Sequence, residues 1–325
     1  MNANVCLRLN CSLALSTHQA GKVVRNLLLL LSCILFFGIS GEAQVDPLYA
    51  QYLNNPMLIN PAYAGLNNNL NAGITYRKQW AGFEGSPTTY NLNAHSSFVD
   101  NRMGLGLIVL KDNIGINSNT EVHGTYAYRL DLDQKYLSFG LQAGFISFKG
   151  NHSELNPFDA NDPAFNENQN ITKPSFGAGL ILNSERYFLG LSVPRMLKAK
   201  VTVSDLETEL YSQHFYAMGA YIFYINEHIR LKPSVLLKSV KGSPISADVN
   251  FALNFEEKIT AGIYTRNLNA YGLMCQVKFG GSYRFGYAFE VPSGNSVGPQ
   301  FTTHELSFGL NMAMFAFHRT SITNF

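Results

Sequence analysis

The chain has 325 residues, a length that fits one large domain or two ordinary ones, with a formal net charge of +2. Only 14% of its residues are charged and 13% are aromatic, against about 25% charged in an average soluble domain. That composition fits a secreted β-sandwich or a membrane barrel, and the choice between them falls to the pattern along the chain.

The first segment is a leader. Lys22 and Arg25 precede the apolar run Leu27 to Ile39, which ends in Gly41-Glu42-Ala43. Its 13 residues fall short of the roughly 20 that a bilayer span requires, and small residues stand at the −3 and −1 positions before Gln44, so 1–43 reads as a secretory signal peptide cleaved after Ala43. The residues before Lys22 make an unusually long start, which suggests that the true start codon lies downstream of Met1. A lipidated Cys33 is the alternative, but Ile34 to Phe37 continue the apolar run where a mature lipoprotein turns polar. Cleavage removes three of the 24 basic and one of the 22 acidic residues, leaving 21 of each. Such a balance gives no reason to expect nucleic acid as a partner. One cysteine, Cys275, survives, so neither an intramolecular disulfide nor a cysteine-based zinc site can form.

Residues 44–69 are rich in Asn and Pro and do not read as a strand. They are expected either to plug a lumen or to contact periplasmic partners. From Leu70 onward no apolar run reaches 18 residues, and hydrophobicity instead alternates with a period of two. Ile245, Ala247, Val249, Phe251, Leu253 and Phe255 alternate with Ser246, Asp248, Asn250, Ala252, Asn254 and Glu256. Tyr283 to Phe289 and Leu306 to Met314 repeat the pattern. About fourteen strands follow, starting near Leu70, Thr88, Met103, Asn119, Lys135, Pro174, Arg186, Tyr211, His228, Pro244, Lys258, Ala270, Ser282 and Thr303. Connections after even strands are short, as at Val99 to Arg102 and Phe255 to Glu257. Those after odd strands are mostly long: Lys78 to Pro87, Lys149 to Lys173, Pro194 to Leu210 and Val291 to Thr302. The reading is an all-β protein whose residues 70–325 form a transmembrane antiparallel β-barrel of the outer membrane, with short periplasmic turns, longer extracellular loops and lipid against its outer face.

Glu121, His123, Arg129, Arg230, Lys232 and Lys238 occupy polar positions and are expected to face the lumen. So are Gly104, Gly106, Gly140, Gly144, Gly177, Gly179 and Gly309, where glycine relieves crowding or permits curvature. Of the histidines His95, His123, His152, His214, His228, His304 and His318, none stands in metal-ligand spacing. His95 and Ser97 share a strand face and are the one pairing that suggests a base and a nucleophile; a lumen or rim histidine is the more economical reading, and no enzymatic activity and no cofactor are expected. Asp159, Asp162 and Glu167 could offer oxygens to calcium but lack the spacing of a calcium loop. Trp80 suits either an interfacial girdle or a loop packed into the barrel mouth.

Two blocks resemble a known family. Gln51-Tyr52-Leu53-Asn54-Asn55-Pro56 leads into Ile59-Asn60-Pro61-Ala62-Tyr63-Ala64-Gly65, and Tyr76-Arg77-Lys78-Gln79-Trp80-Ala81-Gly82-Phe83-Glu84-Gly85-Ser86-Pro87 follows. Both are similar to motifs of the PorP/SprF outer-membrane proteins of the type IX secretion system of Bacteroidota. Asp112-Asn113-Ile114-Gly115, Leu191-Ser192-Val193-Pro194 and His304-Glu305-Leu306-Ser307 extend the likeness more diffusely. The resemblance implies a part in docking, secreting or anchoring cargo at the cell surface, in gliding relatives a surface adhesin. The implied partners are cargo with a C-terminal sorting domain and periplasmic components of the same machinery. Asn60, Pro61, Ala62, Tyr63, Gly65, Arg77, Gln79, Trp80, Gly82, Phe83, Gly85 and Pro87 are the motif positions, expected to serve structure or partner docking. The competing reading is a channel or transporter for small solutes, which would need an organised ring of lumen charges. An outer-membrane enzyme, depending on His95, His123 or His304, ranks third.

Overall fold

A computed structural model of the chain describes residues 52, 55–151, 168–197, 199–203, 206–211, 213–240, 243–293 and 297–314. These belong to one compact unit, Gln44–Phe325. Two short 3-10 turns, Pro56–Leu58 and Pro61–Tyr63, precede the strands. The strands are β1 (Leu70–Lys78), β2 (Thr88–Phe98), β3 (Met103–Ile114), β4 (Asn117–Asp131), β5 (Lys135–Gly150), β6 (Gln169–Ser184) and β7 (Tyr187–Val193). Next come β8 (Ala199–Val203), β9 (Leu206–Tyr211), β10 (His214–Tyr221), β11 (Phe223–Tyr224), β12 (Ile229–Val240) and β13 (Ser246–Phe255). The last are β14 (Ile259–Arg266), β15 (Ala270–Phe279), β16 (Tyr283–Pro292) and β17 (Thr303–Met312).

Each wall strand runs antiparallel to the next, and the ring closes where Leu70 to Lys78 pair with Met312 to His304. Near the middle of the chain β10 bridges β7 and β12, with β11 prolonging its line along β12. The result is a closed barrel of fourteen strands, with β8 and β9 forming a separate hairpin between β7 and β10. Closure leaves no wall strand without a hydrogen-bonded neighbour on either side, the condition for crossing lipid without a helix.

The alternation in the sequence becomes an inside-out barrel. On β2, Thr89, Asn91, Asn93, His95 and Ser97 are buried, while Tyr90 and Leu92 between them stand exposed. On β5, Leu141 keeps 63% of its surface exposed and Ser138 none. Polar groups are sheltered and apolar ones face outward because the outer solvent is hydrocarbon, where each exposed CH₂ costs nothing and each charge costs several kcal/mol.

Strand starts at Leu70, Thr88, Met103, Lys135, Ala270 and Thr303 agree with the sequence reading. The loop asymmetry also holds: connections 99–102, 132–134, 185–186, 225–228, 256–258 and 280–282 make one short rim. Several of these turns are built with left-handed residues, such as Asp133 (φ 51°) with Gln134 (φ 63°) and Glu256 (φ 48°) with Glu257 (φ 57°), the conformation that matches the twist of tight hairpins. Connections 79–87, 151–168, 194–213 and 293–302 form the long rim, into which 115–116, 241–245 and 267–269 also fall as shorter exceptions.

Four expectations need correction. Strand β6 begins at Gln169, not near Pro174, and β4 begins at Asn117. Pro174 pairs with Phe145 on β5, but β6 meets β7 only across Ala178 to Asn183, so proline sits where one side of the strand has no wall neighbour and its missing N–H is tolerated. Tyr211 ends the hairpin strand β9, and the wall strand starts three residues later at His214. The stretch expected as a plain loop, Pro194 to Leu210, contains that hairpin. The leader 1–43 and the candidate calcium residues Asp159, Asp162 and Glu167 lie outside the described residues.

Candidate functional site

The lumen is filled from two directions. On the short-turn side the chain ahead of β1 enters the barrel, and its apolar residues Met57, Ile59, Ala62, Tyr63, Ala64 and Leu66 make one cluster with the inward Ile108, Ala127, Ile181, Phe188, Met218 and Leu236. This cluster is the barrel's main apolar core. Prolines open both 3-10 turns, where a fixed φ is already suited and no N–H is lost.

Asn60 locks the segment to the wall. Its Nδ2 donates to the carbonyls of Leu180 and Leu191, both at 3.1 Å, and its Oδ1 accepts the Ala62 N–H at 3.0 Å. Ser138 Oγ donates to the Ala62 carbonyl at 2.6 Å, and Ser192 Oγ to the Ile59 carbonyl at 2.8 Å. Gly65, at φ +70°, donates its N–H to His95 Nδ1 at 3.1 Å. Tyr63 donates its hydroxyl to Asn67 and stacks edge-on against His95 and Phe188. Beyond them Arg129 donates to Asn68 Oδ1 at 2.7 Å.

Glycines in the wall make the seats. A Cβ on Gly104 would stand 1.9 Å from the Ala64 carbonyl oxygen, one on Gly140 2.0 Å from the Ala62 nitrogen, and one on Gly179 2.0 Å from Asn60 Oδ1. No side chain fits at those distances, so the backbone of 61–65 rests directly on that of β3 and β5, and the Asn60 side chain rests on that of β6. The inward glycines expected to relieve crowding thus do so for a particular guest. Gly144 differs, since its nearest neighbour is the carbonyl of Val122 on the adjoining strand β4.

At the opposite end, the long-loop rim, Arg77 is 1% exposed and bonds Glu305 at 3.2 Å and Glu290 at 3.3 Å. Arg266 continues the chain to Glu290 at 3.5 Å and to Asp248 at 3.1 Å. Taking such charges out of water is costly unless each is paired with good geometry, and five strands, β1, β13, β14, β16 and β17, supply the network. The loop 79–87 folds over this network. Gln79 donates its N–H to the Pro87 carbonyl, Trp80 to Thr303 Oγ1 and Ala81 to the Thr302 carbonyl, while the Phe83 and Phe301 rings meet edge-on at 5.4 Å. Gly82 and Gly85 hold φ of +90° and +71°, and the Gly85 carbonyl accepts from Gly115. Trp80 is half-buried in this clasp with φ +52°.

A third closure comes from the chain after β7. Gln142 donates to the Pro194 carbonyl at 2.8 Å, and Arg195 grips Glu121 with Nη2 at 2.7 Å and Nε at 3.4 Å. His123 completes that group through Nε2 to Glu121 at 3.1 Å.

The two motif blocks therefore lie at opposite ends of β1 and do not share one pocket. The diffuse blocks meet them: Ser192 holds Ile59, Glu305 holds Arg77, and Asp112 accepts from Thr89 beside the clasp. Sequence reasoning missed Asp248, Arg266 and Glu290, because only ring closure brings them to Arg77. His95 spends Nδ1 on Gly65, and Ser97 donates to Asn101 Oδ1 at 2.6 Å. His304 bonds the Tyr287 hydroxyl and Thr302. Among the described residues no group of three or more His, Cys, Asp or Glu could hold a metal ion, and Cys275 is a free, exposed thiol.

The model of the family described as type IX secretion system membrane protein PorP/SprF matches residues 41–310. The chain belongs to the PorP/SprF family. This barrel is accordingly an outer-membrane component of the type IX secretion system. No curated protein matches the sequence. Among solved structures the PorP/SprF barrel is similar to the outer membrane protein Omp33 of Acinetobacter baumannii, at 9% identity and a TM-score of 0.47, over 76% of this chain and 100% of that one. It is also similar to the CymD monoaromatic hydrocarbon channel, at 9% identity and a TM-score of 0.47, over 85% of this chain and 96% of the other. A Pseudomonas aeruginosa FadL homologue gives 11% identity and a TM-score of 0.46, over 83% and 95%.

Proposed function

We propose that this PorP/SprF barrel is a closed docking platform, which holds cargo at the cell surface and engages the secretion machinery from below, and is neither a conduit nor an enzyme. The observation that carries the reading is the filled lumen: the Asn60 segment is built into the wall at one end, and the Arg77 network under its clasp fills the other. A fourteen-strand barrel is already intermediate between side-chain-filled barrels and open porins. With its interior occupied, transit of folded cargo through it has no path, and the exposed ends are what remain for partners.

The long rim, with the β8–β9 hairpin between β7 and β10, is the surface we assign to cargo or a gliding adhesin bearing a C-terminal sorting domain. The short rim, where the N-terminal segment enters, is assigned to periplasmic components. The girdle of exposed Leu, Phe and Tyr on the outer wall meets lipid. Delivery follows from a signal peptide cleaved after Ala43, which predicts a mature protein whose N-terminal mass begins at Gln44. The histidines support a structural assignment, since His95 is engaged with Gly65 and Ser97 with Asn101.

Affinity isolation of the tagged full-length protein from its native outer membrane, with mass spectrometry of what accompanies it, tests the proposal. Recovery of one large surface protein with a C-terminal sorting domain, together with periplasmic type IX components, is the expected result. Recovery of the barrel alone, with solute-dependent currents in a planar bilayer, would overturn the reading in favour of a small-solute channel.

A further inference from the structure

Among the described residues the lumenal arginines are paired with one exception. Arg77 and Arg266 hold Glu290, Glu305 and Asp248; Arg195 holds Glu121; Arg230 holds Glu257; and Arg129 donates to Asn68. Arg284, on the inward face of β16, makes no hydrogen bond or ion pair with any described residue, and its Nε is buried without a partner. Its guanidinium lies over Gly309, where an added Cβ would stand 3.3 Å from Nε.

Its direct cross-strand partner on β15 is another cation, Lys278, which likewise has no ion pair among the described residues. Like charges placed opposite one another on a sheet repel, and Lys232 on β12 adds a third positive group close enough to act on both. The one carboxylate that reaches Lys278, Glu257, is already held by Arg230. Beside Arg284 lies a cavity of about 40 Å³, walled by Tyr63 and Asn67 of the N-terminal segment, Asn71 and Thr75 of β1, Asn93 of β2 and Gln276 of β15, among others, with no carboxylate in its lining. A space of that size holds roughly three waters, or the head of one oxyanion. Hydrogen-bond donors, an unneutralised guanidinium and the absence of any acid describe a site for negative charge, and guanidinium geometry favours two-point contact with carboxylate or phosphate.

We propose that Arg284 and Lys278 form an oxyanion site in the periplasmic half of the lumen, which takes a carboxylate or phosphate group and bridges the barrel wall to the N-terminal segment. Arg284 stands two residues from the short turn 280–282, so the ligand enters from the periplasmic side. The group comes either from a free solute or from an acidic side chain of a periplasmic protein.

The test is thermal unfolding of the full-length barrel in detergent at low salt, read by its gel mobility shift, during titration with inorganic phosphate and, separately, with triglutamate peptide. Chloride matches ionic strength in each series. The wild type should gain stability saturably, at lower concentrations of phosphate for a solute site and of triglutamate for a protein carboxylate. Arg284→Gln should raise the apparent dissociation constant at least tenfold, while Arg102→Gln in an exposed turn leaves it unchanged. Without oxyanion, Arg284→Gln should melt above the wild type, because an unneutralised lumenal charge is gone; a merely structural arginine would give the opposite sign. Calorimetric titration of phosphate and triglutamate into the wild type reads the site with no variant. Absence of saturable binding by both, or equal binding by wild type and Arg284→Gln, would overturn the proposal.

Discussion

Replacing Asn60 with Ala removes three hydrogen bonds in one step: two part-buried ones to the carbonyls of Leu180 and Leu191, and a buried one from the Ala62 N–H. A buried hydrogen bond contributes about 0.5–1.5 kcal/mol net, and a donor left buried without a partner costs about 1–3 kcal/mol. The Ala62 amide would be such a donor, whereas the two carbonyls keep a place in the wall ladder. The loss in seating therefore comes to about 2–6 kcal/mol, a rise of roughly 30- to 20,000-fold in the undocked population at about 1.4 kcal/mol per decade. Hydrogen exchange with mass spectrometry on the barrel in lipid nanodiscs reads this directly. Peptides covering 55–69 should exchange faster by that factor in Asn60→Ala, while those from β14 to β16, which the segment does not hold, keep their protection. Unchanged protection over 55–69 would refute the reasoning, and so would a loss spread evenly over the wall, which would mean that the segment and the barrel unfold together.

A bulkier change on the wall side of the same seat, Gly140→Val, places carbon atoms where the Ala62 backbone now lies and should release 55–69 to exchange while the barrel keeps its heat-modifiable gel mobility. Arg77→Ala removes the guanidinium that Glu305, with 0% exposure, shares with Glu290; breaking a buried pair on one side costs about 3–5 kcal/mol, so the midpoint of thermal unfolding should fall clearly, and a midpoint equal to the wild type would contradict the pairing. Leu141→Arg puts a charge on the lipid face at mid-strand, at a cost of about 2–4 kcal/mol, and should lower the folded fraction in urea titrations of the lipid-inserted protein; a change within error would argue that Leu141 does not face hydrocarbon.

The wall was legible because its signal is local. On β13, β16 and β17 every second residue is apolar, and a strand fixes that relation with no knowledge of its neighbours. The start of β6 was misplaced for a related reason. Pro174 stops a strand in isolation, and only the short reach of β7 shows that its position is an edge. The β8–β9 hairpin was hidden in a loop assigned by default, although Lys200 to Val203 and Leu206 to Tyr211 flank a Ser-Asp pair that suits a turn.

The site was less legible because its pairings span the whole chain. Arg77 and Glu305 are direct cross-strand neighbours 228 residues apart, a relation that exists only once β1 meets β17. The motif around Asn60 could be recognised, but its physical reason could not. That reason lies in Gly104, Gly140 and Gly179, three glycines on three strands whose missing side chains leave room for the segment's backbone and the Asn60 side chain. Nothing in any single strand distinguishes such a seat from a glycine such as Gly144, which meets the backbone of the adjoining strand β4 instead.

The central claim is that the lumen is closed by the chain's own N-terminal segment and rim network. Single-channel recording in a planar bilayer, on the intact mature barrel and on one lacking residues 52–66, tests it most directly. The account predicts no steady current through the intact protein; with the segment gone the rim network still closes one end, so discrete openings appear when Arg77→Ala is combined with the deletion. A stable ohmic current through the intact barrel, unchanged by the deletion, would contradict it.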